Sequence, residues 1–259
     1  MKQLLFLGVG SVARAVRGLL PELPAFGTTR SAPDARFSGI TAIAASDTAA
    51  IRSAAQDASV LVSFPPDGHS DDLLAALVSG ATSVTYLSST AVYAADALRV
   101  TETTPVAPSG ERALLRVAAE AIWLEAGASV VRLPAFYGPE SGLHLSLARG
   151  SFRMPGRGAN VVSRVHVDDA ARFVAAALRA APGSLLLAGD DEPAPVAEVV
   201  AFVCELFGLS WPSTTEANDI PLSLRANRRV DNALTKASFG IQLAYPSYRE
   251  GYRAIQRAR

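Results

Sequence analysis

The sequence predicts an α/β protein built on a doubly wound parallel sheet, and three observations predict it. A short apolar run, Leu4 to Leu7, opens directly into Gly8, Gly10 and Ala13. Strand-like and helix-like stretches then alternate for about 135 residues, as parallel strands joined by crossover helices require. Pro65 and Pro66 stop the fourth strand pattern abruptly, at the sheet edge where such folds place a ligand.

Composition sets the outer limits. The chain has 259 residues, 49% of them hydrophobic, and carries 24 basic and 24 acidic side chains. That describes a globular protein large enough for one full core with an appended lobe. A net charge of zero and the lack of a long basic run argue against a nucleic-acid surface, although every basic residue except Lys2 and Lys236 is Arg. The single cysteine, Cys204, lies in a helical apolar run and can build neither a disulfide framework nor a thiolate metal site, which fits a reducing cytoplasm. The opening apolar run is too short for a signal peptide or membrane span. No metal-spaced His/Cys cluster and no repeat is present.

The first strand and turn carry the chemistry. Gly8 permits a tight bend, Gly10 has no side chain to hold a pyrophosphate off the backbone, and Ala13 lets the helix pack close to the strand. The helix, expected from Ser11 to about Leu20, begins with Ser11, Val12 and Ala13, whose N–H groups and positive dipole end form an anion site. This is the physics of the dinucleotide fingerprint GxGxxG/A. A second strand ends at Phe26 and Gly27, followed by Thr28, Thr29, Arg30 and Ser31. No acid lies between Gly27 and Asp34, so these residues read either as a pocket for the 2′-phosphate of NADP, with NAD as the other dinucleotide it could take, or as an ordinary polar turn. Strands are expected near Ile40 to Ala44 and from Ser59 to Phe64, with helices near Thr48 to Gln56 and from Asp71. Phe64 and Pro65 then border the cofactor, and His69 reads as a surface loop residue.

The next strand, Ser83 to Leu87, runs into Ser88, Ser89, Thr90, Ala91, Val92 and Tyr93. Here the chain resembles the extended short-chain dehydrogenase/reductases, the NAD-dependent epimerase/dehydratase family. Further matching runs are Thr101 to Pro105, Arg132 to Pro134 with Tyr137 to Pro139, Val165 to Asp169, and the stretch from Asn227 to Tyr252. The resemblance implies a Rossmann fold with a small C-terminal α/β substrate lobe. Residues 1–259 form one NAD(P)-binding domain, with the lobe built mainly from 138–165 and 190–259. It assigns Ser89 the hydroxyl that bonds the substrate's reacting oxygen, and Thr90 the neighbouring polar place.

One departure matters. Family members carry Tyr and Lys four residues apart on the following helix; alignment on Glu120 puts Arg112 and Arg116 there. A guanidinium does not deprotonate near neutral pH, so Arg112 is no proton donor, whereas Arg116 can still bind ribose. Tyr93 and Tyr137 are then the candidate acids, each needing a lowered pKa, or else they are packing residues. Arg112 is expected to meet an anionic substrate group, Glu111 or Glu102. Arg149, Arg153, Arg157 and Arg164 cluster in sequence and suit a phosphate or carboxylate, or form a solvated loop. Helices are expected from Ser141 to Arg149, Asp168 to Ala180 and Val196 to Phe207, a strand from Ser184 to Leu187, and lobe structure from Pro221. His166, between valines, reads as a buried structural residue.

Two functions follow. One is an NAD(P)-dependent oxidoreductase or epimerase-like enzyme, monomeric or homodimeric, acting on a small polar or nucleotide-linked carbonyl or sugar compound, anionic if the arginines are used. The other is a catalytically silent NAD(P)-binding redox sensor.

Overall fold

The computed structural model describes residues 1–216 and 225–258; the expected lobe structure beginning at Pro221 starts outside them. Seven strands form the central sheet: β1 (Gln3–Leu7), β2 (Ala25–Thr29), β3 (Thr41–Ala44), β4 (Ala58–Val62), β5 (Ser83–Ser89), β6 (Ser129–Leu133) and β7 (Leu185–Leu187). Their spatial order is β7-β6-β5-β4-β1-β2-β3, and the ladders β1–β2, β1–β4, β2–β3 and β4–β5 are parallel. The order reverses beside β1, the switch point at which such sheets bind ligands. Leu4 to Leu7 and Val60 to Val62 are buried without alternation, so both faces of the sheet are covered.

The helices are α1 (Ser11–Leu19), α2 (Thr48–Ala55), α3 (Ser70–Leu77), α4 (Glu111–Glu125), α5 (Leu143–Ala148), α6 (Val167–Ala177), α7 (Val196–Phe207), α8 (Ala233–Phe239) and α9 (Tyr248–Arg257). One face of the sheet packs Leu5, Leu7, Val60, Val62 and Tyr86 against Ile51, Leu77 and Trp123. Four expected boundaries are corrected. β5 continues through Ser88 and Ser89, β4 stops at Val62, α5 begins at Leu143, and α6 ends at Ala177. Gly142, at φ +123°, breaks the chain ahead of α5, and a Cβ there would run into the Tyr137 side chain.

The chain divides into two compact units. The first comprises Met1–Ser89, Gly110–Arg132 and Ala171–Leu186; the second comprises Thr90–Ser109, Leu133–Ala170 and Leu187–Arg259. The second unit has its own core, in which Tyr137, Met154, Val199, Val203, Tyr248 and Tyr252 pack together. Cys204 is a buried free thiol of α7 within that core, raised by burial above its ordinary pKa. No helix among the described residues is long and apolar enough to cross a membrane.

Candidate functional site

The turn after β1 is pinned from both sides. Gly8 lies at φ +91°, where an added Cβ would sit 3.1 Å from the Phe64 backbone nitrogen, so glycine is required twice over. Its N–H donates to Thr28 Oγ1 at 2.9 Å, and its carbonyl accepts from Ser63 Oγ at 2.7 Å. Gly10 is the N-cap of α1; no side chain caps this helix start, and a Cβ on Gly10 would meet nothing within 4 Å. Val12 and Ala13 are buried against the core, so they can serve a ligand only through their N–H groups. Ser11 lies beside Arg14, 3.4 Å from Nη2.

A cleft of about 650 Å³ opens at this turn. Gly8 and Gly10 line one end, Thr28 to Ser31 with Arg36 and Phe37 the next wall, and Ser63 to Asp67 with Ser70, Leu73 and Leu74 the wall opposite. Gly8, Gly10, Thr28, Thr29, Arg30, Phe64 and Pro65 are thereby brought to one cleft. The open cradle at Gly10, the uncapped helix start and the apolar walls fit the adenosine and pyrophosphate half of a dinucleotide.

The polar side chains divide by what already holds them. Thr28 supports the glycine turn. Thr29 Oγ1 donates to the Ser31 carbonyl at 2.8 Å and accepts from Ser31 N, shaping its own loop. Arg30 is exposed on the cleft wall. Arg36, which sequence reasoning missed, is gripped by Asp34 through Nε at 2.9 and 3.0 Å and Nη2 at 2.8 Å. The 3₁₀ turn Ala35–Phe37, capped by Asp34, folds that loop back towards the cleft; the Asp-x-Arg spacing is the signal that could have found it. Asp67, also missed, accepts from His69 N at 2.9 Å, Ser70 N at 2.8 Å and Ser70 Oγ at 2.6 Å. These bonds hold its carboxyl down at about pKa 2 and cap α3. His69 is an exposed residue at the start of that helix.

At the end of β5, the hydroxyl of Ser88 donates to Glu120, which also receives Arg132. Ser89 follows, half-buried, as the last strand residue. Arg116 is half-buried and donates from Nη1 to the Leu87 carbonyl at 3.2 Å, whereas Arg112 is exposed. Glu102, one expected partner of Arg112, instead accepts from Thr235 N at 2.9 Å and Thr235 Oγ1 at 2.5 Å. Neither Arg116 nor Arg112 lines the cleft.

In the second unit Thr90 opens the 3₁₀ turn Thr90–Val92, and its carbonyl accepts from Arg228 Nη1 at 2.8 Å. Tyr93, next in the chain, is wholly buried. Tyr137 lies in the core of the second unit. Its ring stacks on Tyr252 at 4.4 Å, and Gly251 lies so close that a Cβ there would strike the phenol. Burial, with the charge of Asp190 adding, pushes that phenol far above its ordinary pKa, the reverse of what a proton donor near neutral pH needs.

Of the four arginines that cluster in sequence, Arg164 alone departs from both readings. Arg164 is buried, 5.6 Å over the Tyr248 ring, while Arg153 is exposed and donates to the carbonyls of Gly150 and Phe152. Arg149 and Arg157 are exposed. His166 is the buried structural residue expected: Nδ1 accepts from Asp168 N at 3.2 Å, and burial lowers its pKa. No group of three or more His, Cys, Asp or Glu side chains among the described residues could hold a metal ion.

No protein-family model matches the chain. A conserved protein of unknown function from Silicibacter pomeroyi DSS is 32% identical, with a TM-score of 0.81 over 100% of this chain and 99% of that one. The UDP-glucuronic acid 4-epimerase of Bacillus cereus, solved with UDP-glucuronic acid and NAD, superimposes with a TM-score of 0.79 at 13% identity, over 99% and 98% of the two chains. A 3-diazoavenalumate denitrifying reductase from Streptomyces sp is 30% identical over 136 residues, which is 47% of this chain and 45% of that protein. The chain thus matches less than half the length of that curated relative. A protein from Methylobacillus flagellatus named as an NAD-dependent epimerase/dehydratase has the same fold, with a TM-score of 0.76 at 22% identity over 99% of this chain and 98% of that one.

Proposed function

We propose, for a chain that belongs to one family with the S. pomeroyi protein and has the fold of the NAD-dependent epimerase/dehydratases, an NAD(P)-dependent oxidoreductase or epimerase-like activity. Its substrate would be a small polar or nucleotide-linked carbonyl or sugar compound. The observation that carries this reading is the cleft at the Gly8–Gly10 turn, with its uncapped helix start and apolar walls. The names of the neighbours support the same chemistry: an epimerase solved with NAD and a sugar nucleotide, and a reductase.

The nicotinamide, when bound, supplies the hydride acceptor or donor. The N–H groups of Ser11, Val12 and Ala13 would hold its pyrophosphate. Arg30, with Arg36 behind it, would favour NADP over NAD, since two cations and no unpaired acid border that wall of the cleft. Ser89 would donate its hydroxyl hydrogen to the substrate's reacting oxygen. Arg116 would lend fixed positive charge, anchored through the Leu87 carbonyl two residues before Ser89.

A second reading has its own observation. The chain lacks a Tyr-x-x-x-Lys pair, with Arg112 and Arg116 in those places, and burial pushes the Tyr137 phenol away from the range of a neutral-pH acid. A silent NAD(P)-binding sensor fits that loss. Titration with NADPH and NADH, followed by a turnover screen against sugar nucleotides, aldehydes and ketones, tests both. Binding with turnover supports the enzyme, binding without turnover supports the sensor, and no binding below about a millimolar overturns both. The variant Arg112→Tyr/Arg116→Lys separates them further: a silent scaffold gains carbonyl reduction, whereas an enzyme using these arginines loses its own.

A further inference from the structure

Three buried side-chain atoms of the second unit have no hydrogen-bond partner among the described residues: Tyr137 Oη, Arg164 Nη1 and Asp190 Oδ2. Their residues are 2%, 9% and 1% exposed, and none of them lines the cleft at the glycine turn. The backbone gathers them. The strand Arg164–His166 runs parallel to the strand Ala135–Tyr137 with His166 beside Tyr137, and Arg164, two residues before His166, takes the same face of that pair. Asp190 N donates to the Arg164 carbonyl at 2.8 Å, and Asp190 Oδ1 accepts from Glu192 N at 3.3 Å, which leaves Oδ2 over.

Helix α9 packs against the same place. Tyr248, Gly251 and Tyr252 share one side of it, three and four residues apart. The Arg164 guanidinium lies 5.6 Å over the Tyr248 ring, the Tyr137 ring stacks on Tyr252, and the Tyr137 phenol oxygen comes against Gly251, where any Cβ would strike it. The charges of Arg164 and Asp190 act on Tyr137 and Tyr252 alike.

The chemistry of the three atoms selects what joins them. A guanidinium N–H only donates, an ionised carboxyl oxygen only accepts, and a phenol does both. Arg164 repels a cation, and an anion would face the Asp190 carboxyl. A small neutral molecule that donates and accepts serves all three, and three bonds are usual for a water inside a protein. We propose that the second unit holds one structural water, bound by Tyr137 Oη, Arg164 Nη1 and Asp190 Oδ2. It joins three segments distant in sequence and gives the buried guanidinium a polar partner it otherwise lacks.

The test is a crystal structure of the full chain at a resolution that shows ordered water, with a second crystal soaked in sodium bromide. One density peak should stand about 2.6–3.2 Å from all three atoms, with no anomalous bromine signal. The absence of a peak within reach of all three atoms overturns the inference, and so does a bromide ion at that position. Asp190→Leu removes one partner and crowds the site, so the peak should be lost; a peak that keeps its place and occupancy in this variant also overturns the assignment. The density in the unsubstituted protein decides the matter whatever the variant does to folding.

Discussion

Arg132 grips Glu120 by two parallel hydrogen bonds inside the first unit, Nε to Oε1 at 3.0 Å and Nη2 to Oε2 at 2.6 Å. Both side chains are buried, and Ser88 adds a third donor to the same carboxylate. The pair ties α4 to two adjacent strands, β5 and β6. Glu120→Ala leaves a buried guanidinium without its anion and should cost about 3–5 kcal/mol of stability. Replacing both partners, with Glu120→Leu and Arg132→Met, should recover most of it. Urea unfolding of the three proteins checks this, and equal losses for the single and double variants would contradict it.

Gly8 and Gly10 should respond oppositely to alanine. Gly8→Ala forces a Cβ onto the Phe64 backbone at a positive φ, so stability should fall by roughly 1–3 kcal/mol. Gly10→Ala meets open space at φ −95°, so the melting temperature should barely move. Its methyl group does intrude where a pyrophosphate would lie, and NADPH affinity should fall at least about tenfold. Calorimetric melting together with NADPH titration separates the two effects.

Arg30→Ala should weaken NADP binding about ten- to a hundredfold and leave NAD nearly unchanged. Arg36 already shares its charge with Asp34, so Arg36→Ala should lower NADP affinity by only about threefold. Isothermal titration with both cofactors decides the matter. Equal losses for NAD and NADP would show that Arg30 does not read a 2′-phosphate.

Asp190 governs a dependence on pH. It is buried, its Oδ2 has no hydrogen-bond partner among the described residues, and burial raises its pKa well above the ordinary value despite Arg164. The folded protein therefore keeps a proton that the unfolded chain releases near pH 4. The contribution of this group to stability is fully present below that pH and declines as pH rises towards the folded value. Asp190→Asn does not titrate, so its stability relative to the parent should grow as pH increases from 4 to 8. Urea midpoints across that range measure it; a constant difference would show that Asp190 does not titrate within it.

The parallel sheet and the glycine turn are readable from sequence because both rest on short-range rules: an apolar run, a glycine at positive φ and proline stops. The fates of Thr28 and Tyr137 are not. Thr28 supports the glycine turn because the β1–β2 register sets Phe6 beside Gly27, a pairing that no local pattern specifies. Tyr137 is packed by Gly251, more than a hundred residues later, which leaves the space its ring fills. Arg36 and Asp67 escape notice for a related reason: each is aimed by its neighbours' hydrogen bonds rather than by its own place in a motif. Arg164 resembles its exposed neighbours in sequence, and only the packing of Tyr248 shows it to be interior.

The first unit is assembled from three separated stretches of chain, and one of the two edge strands of its sheet, β7, is the last to be made. A ribosome adding roughly 5–20 residues per second needs about three to eleven seconds to travel from Leu133 to Leu187. Through that interval β6 lacks its outer neighbour, while the glycine turn and the strands beside it have already emerged. A nucleotide that engaged the nascent turn would act as a folding ligand before it could act as a reactant. Its abundance in the cell would then bear on how much of the protein is made correctly as well as on how it works.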